Sequence, residues 1–128
     1  MKIIPGLLTV SILVFSFPVF AKDPDCNGPE QWPTSIAFGE IMDIGLIHRD
    51  TLDFDKTSSV RLASEKIGKD PTFNKDLYRQ VHLVTFVHKS GKTVSAITVN
   101  DASHVECSMS GVDVYVISKH LGAAQEKQ

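Results

Sequence analysis

Nucleophilic or acid–base chemistry in this chain would have to come from the stretch ASHVECSMSG near the C-terminal end. It carries Ser103, His104, Glu106, Cys107, Ser108 and Ser110. An activated hydroxyl needs a base that takes its proton and a third group that orients that base, and neighbours in sequence rarely supply that geometry. No G-x-S-x-G turn surrounds these serines, so no catalytic residue is assigned and the chain is read as a non-enzyme. The histidines are His48, His82, His88, His104 and His120, and none has H-E-x-x-H or zinc-finger spacing. His82 and His88 fall on one side of a single extended segment, but six residues at about 3.3 Å each hold them roughly 20 Å apart. Asp50, Asp53 and Asp55 collect oxygens beside His48 and Arg49. Counted from Asp50, however, they miss the ligand and glycine positions of a calcium loop. Phosphate-cradling glycine motifs are absent as well, and neither metal nor cofactor is expected.

Cys26 and Cys107 are the two cysteines. They lack the C-x-x-C spacing of redox or metal pairs, and in an oxidising compartment two such thiols pair. Closing so long a loop removes on the order of 4–5 kcal/mol of unfolded-chain entropy. The first 21 residues supply the reason to expect that compartment. Lys2 precedes an apolar run from Leu7 to Phe17, Pro18 breaks it, and Val19 and Ala21 stand three and one residues before a cut after Ala21. The run is too short for a membrane span, which needs about 20 predominantly apolar residues. The expectation is therefore a signal peptide over 1–21 and a single mature domain over 22–128, exported and free of the membrane after cleavage. That domain keeps 12 basic against 15 acidic residues and no basic run, which argues against a nucleic-acid partner.

The elements that would position these residues read as α+β. Pro33 suits the first turn of a helix. Ile36, Ala37, Ile41, Ile44 and Ile47 then recur near a 3.6 period until Gly45 marks the end. Beyond the polar connection 48–59 the period becomes two. Strands are expected over Val60–Glu65, Leu77–His88, Thr93–Val99 and Val112–Ser118, with GKDPTFNKD and KSGK as turns. Short connections make this an antiparallel four-stranded meander with the N-terminal helix packed on one face and one disulfide. The tail GAAQEKQ is expected to be loose. In the second strand Leu77, Val81, Leu83 and Val87 read as the core side. Tyr78, Gln80, His82, Val84, Phe86 and His88 read as a half-exposed side, either open for binding or covered by other parts of the chain. Tyr78, His82, Phe86 and His88 are candidate contact residues, as are Ser108, Ser110 and Gly111 in the following loop.

Three blocks carry a resemblance: DCNGPEQWP at 25–33, VRLASEKIGKD at 60–70 with LYRQVH at 77–82, and ITVNDAS with ECSMSGVDVYVISKHL at 97–121. Together they resemble a family of small exported proteobacterial proteins, some associated with type VI secretion effector loci. PTFNK interrupts the KD–LYRQVH run here. The resemblance implies a periplasmic immunity protein that binds and neutralises a secreted toxin. The alternatives are a periplasmic housekeeping protein for a small ligand or metal, and a lysozyme-inhibitor-like protein. The last rests on Ser110-Gly111 followed by Tyr115, which approaches an S-G-x-x-Y loop but places the tyrosine one residue late. Partner identity and oligomeric state are left open by the sequence.

Overall fold

The computed structural model describes residues 22–117. The signal-peptide expectation over 1–21, the loose tail and the end of the last strand at Ser118 lie outside the described residues.

The helix α1 runs Trp32–Asp43 with Pro33 in its first turn, where a missing N–H costs nothing. Gln31 at the N-cap makes no side-chain cap. Thr34 instead donates its hydroxyl to the Gly28 carbonyl at 2.7 Å, which holds the incoming arm against the first turn. At the other end the Leu46 N–H reaches the Ile41 carbonyl and the Gly45 N–H reaches that of Met42. This is the paired Schellman closure, and it requires the left-handed Gly45 at φ 79°. Ala37 and Ile41 face the sheet. Ile44, expected on the same stripe, is 63% exposed because the helix ends before it, while Ile47 is buried from the segment that follows.

Two short 3₁₀ turns, Arg49–Thr51 and Phe54–Lys56, lead into the sheet. Its strands are β1 Ser58–Lys69, β2 Asp76–Val87, β3 Thr93–Ala102 and β4 Asp113–Ile117. They pair antiparallel in the order β1-β2-β3-β4, so the chain is an α+β meander with one helix on one face, as expected. β1 is twice the expected length and almost wholly exposed. It is an edge strand carrying Arg61, Glu65, Lys66 and Lys69, with register shifts between Arg61 and Ala63 and between Lys66 and Gly68. Charges and bulges of this kind discourage pairing with further strands. The β1–β2 turn closes through Asp70, whose carboxylate accepts the Phe73 N–H at 2.6 Å. Asn74 takes the left-handed conformation there, which asparagine tolerates.

The core is formed by Ala37, Ile41, Ile47 and Leu52 above Val84, Phe86 and Ala96. Cys26 and Cys107 form the disulfide, with Cα atoms 5.7 Å apart. It ties the arm ahead of α1 to the loop between β3 and β4. Trp32 adds a second tie by donating its indole N–H to the Ser110 carbonyl. No helix among the described residues is long and apolar enough to cross a membrane.

Candidate functional site

The face expected to lie half-open is the face that the helix covers. Tyr78 is 7% exposed, His82 0% and Phe86 1%, while Leu77, Val81, Leu83 and Val87, read as core, are all only half-buried on the opposite side. Strand alternation separates two faces without saying which one receives the helix. Here α1 and the arm 22–31 take the side with the more polar β2 residues. Val84 and Phe86 meet the helix, and the polar end of the face is roofed by the arm. Gln80 donates to the Pro24 carbonyl at 2.8 Å and to Ser64 at 3.2 Å. Asn100 donates to the Cys107 carbonyl at 2.9 Å.

Gln80 pairs with Asn100 and His82 with Thr98 across β2 and β3. These four are each at most 2% exposed. Both ring nitrogens of His82 lack a protein hydrogen-bond partner, as do Gln80 Oε1, Thr98 Oγ1 and Asn100 Oδ1. Burial pushes the His82 imidazole below its ordinary value. The neighbouring Arg61 adds to that shift, and Asp25 opposes it. His88 lies half-buried at the strand end, where it bridges to Leu52.

The β3–β4 loop uses its hydroxyls for its own folding. Ser103 accepts the Val105 N–H at 3.1 Å, and Ser108 donates to the Glu106 carboxylate. Ser110 accepts the Asp101 N–H at 2.8 Å and donates to the Gly111 carbonyl. His104 packs edge-on against Tyr78, with ring centroids 5.8 Å apart. Ser108 and Ser110 remain half-buried and Gly111 exposed. Tyr115 sits within β4, the strand that follows that loop, on the open sheet face. Among the described residues no group of three or more His, Cys, Asp or Glu converges as a metal site. Asp53 is engaged by Lys56 at 3.5 Å.

A groove of about 720 Å³ lies between α1, the arm and the 3₁₀ turns. Its floor is aromatic. Phe38 meets Phe54 edge-on at 5.2 Å and Phe86 at 5.8 Å. The Arg49 guanidinium lies 5.2 Å from the Phe38 centroid, held by the negative face of the ring. Glu30, Asp55, Ser35 and Thr57 complete the rim, and the Thr57 hydroxyl is shielded without a partner. Of the expected contact residues only Phe86 lines this groove. Phe38, Phe54 and Arg49 were missed because they come from a helix flank and a polar connection. The one sequence signal was the presence of Phe54 among the aspartates of that connection.

The other sheet face carries no element of the described chain. Its centre is a belt of two rows running across the strands. One row is Val60, Leu83, Ile97 and Tyr115, and the next is Ala63, Val81, Val99 and Asp113. A charged row of Glu65, Arg79 and Asp101 borders the belt on one side, with Arg79 Nε 2.9 Å from Asp101. A row of Ser58, Thr85 and Ser95, ending in Ile117 on β4, borders it on the other, Thr85 and Ser95 being bonded at 3.2 Å. An apolar centre between polar rims is the anatomy of a protein interface. No protein-family model, curated protein or solved structure matches the chain.

Proposed function

We propose that this chain is an exported, non-enzymatic binding protein that captures and neutralises a toxic protein in the periplasm. The observation that carries the reading is the groove floored by Phe38, Phe54 and Phe86 and rimmed by Arg49, Glu30 and Asp55. Aromatic pockets flanked by charge accept an anchoring side chain from a partner, and such anchors carry most of the energy of a protein complex. Phe54 is 46% exposed in that floor, available for contact without being needed by the core. The disulfide fits export, and the reading places the processed N-terminus at Lys22.

The test is to express the chain for export beside the toxin gene that this proposal expects to adjoin its own, and to measure both survival and complex formation. Wild type should protect and co-purify with the toxin. Phe54→Ala should weaken the complex by about 2 kcal/mol, roughly thirtyfold in Kd, with the fold intact. Absence of both rescue and complex defeats the proposal. The groove volume favours a second reading, a small periplasmic ligand, since such sites occupy about 300–1,000 Å³. A toxin-free protein that co-purifies with a small molecule, lost in Phe54→Ala, would select that reading.

A further inference from the structure

The open sheet face lies on the layer opposite the groove, so whatever covers it leaves the groove free. Its pattern is self-complementary. Consider two copies facing each other about a two-fold axis that runs across the strands, midway between the two belt rows. Each row then meets the other row of the partner copy. Leu83 falls against Val81, Ile97 against Val99, and the Tyr115 hydroxyl against the Asp113 carboxylate, from the registers that pair these strands. The bordering rows exchange in the same way. Thr85 faces Arg79 and Ser95 faces Asp101, so the charges of one copy meet the hydroxyls of the other. A two-fold axis along the strands above β2 would instead set Arg79 on its own copy and Glu65 on Asp101, bringing like charges together at a cost, whereas one between β2 and β3 would set Arg79 on Asp101 and Ser95 on Thr85.

The area is sufficient. Strands of 12, 12, 10 and 5 residues, at about 4.8 Å spacing and about 3.3 Å per residue, give a face on the order of 600 Å². Two such faces bury on the order of 1,200 Å², the lower edge of stable interfaces. Two twisted sheets with apolar inner faces pack at about 10 Å separation and within about 30° of alignment. An isologous contact of this kind closes after two copies.

We propose that a second copy of this chain covers the Leu83–Ile97–Tyr115 belt, sheet on sheet, giving a helix–sheet–sheet–helix dimer with both grooves facing outward. Sedimentation velocity of the purified, disulfide-bonded protein from about 1 to 100 µM should find the dimer. Leu83→Lys at the belt centre and Tyr115→Glu at its exposed end should each give monomers with an unchanged far-ultraviolet spectrum. Orientation is read from Ser95, where both substitutions lose the bond to Thr85 alike. Ser95→Lys, opposite the partner's Asp101, should hold the dimer, and Ser95→Glu should loosen it by about tenfold. A wild-type monomer across the whole range would overturn the proposal, whether the belt proves to be covered by residues 118–128 or by a different protein. Equal effects of the two Ser95 variants would overturn the axis. Neither outcome bears on toxin capture, which the monomeric Leu83→Lys protein should retain.

Discussion

His82 is the residue whose chemistry is most constrained by its surroundings. Both ring nitrogens are shielded without protein partners, Arg61 opposes a positive charge, and only Asp25 favours one. The folded protein therefore holds the imidazole neutral at a pH where the unfolded chain, with an ordinary value near 6.5, already takes up a proton. Because the unfolded state binds more protons in that interval, stability must fall as pH falls from about 6.5 towards the lowered folded value. Asp76, drawn down by hydrogen bonds to Lys66 and then Lys69, also loses its contribution in acid. That loss comes below its ordinary value of 3.8, so the two windows separate. Chemical denaturation between pH 7 and pH 5 should show a decline in wild type that His82→Gln flattens. A decline unchanged in the variant would assign the effect elsewhere.

At the scale of elements, the polar end of the covered face explains why the arm is where it is. Gln80 and Arg61 both donate to the Pro24 carbonyl, at 2.8 and 3.2 Å, so an irregular segment substitutes for the water that these strands would otherwise need. Buried polar groups demand partners, and β2 recruits the arm to supply some of them. The helix is closed by a single residue's backbone freedom. Gly45→Ala keeps the sequence helical but forces a Cβ into φ 79°, with open space around it. The loss should therefore be conformational, about 1 kcal/mol, visible as a lower denaturation midpoint with an unchanged slope. Much of this layout follows from local pattern. Pro33, Gly45, the KSGK turn and the two-residue alternation after residue 59 mark element boundaries within a few positions. The full length of β1 escaped that pattern, because the residues beyond the expected strand, Ser58, Ser59 and Lys66 to Lys69, are mostly polar or glycine and show no apolar period.

Across the whole molecule, the Cys26–Cys107 bond joins parts separated by 81 positions, roofing the buried quartet from the arm side and anchoring the β3–β4 loop from the other. A domain with one helix on one sheet face has a small core and leans on such a tie. Replacing both cysteines by alanine should cost about 2–5 kcal/mol, with the arm released first, and hydrogen exchange at residues around Pro24 and Gln80 would report it. Protection there that survives removal of the bond would show that the Pro24 contacts hold the arm unaided.

The sequence by itself determined the elements, their order, the antiparallel meander and the cysteine pairing, because period, turn residues and thiol count are local or compositional properties. Which sheet face became the core was decided only in three dimensions. Leu83 and Val84 are neighbours in one strand, and nothing along the chain says which will meet Ala37 and Ile41. The small residues Ala37 and Ala96 and the tethered arm settle it together, and their meeting is a long-range event. The groove has the same origin. Phe38, Phe54 and Phe86 come from three elements and share no spacing, so their aromatic floor exists only once helix, turn and strand have packed.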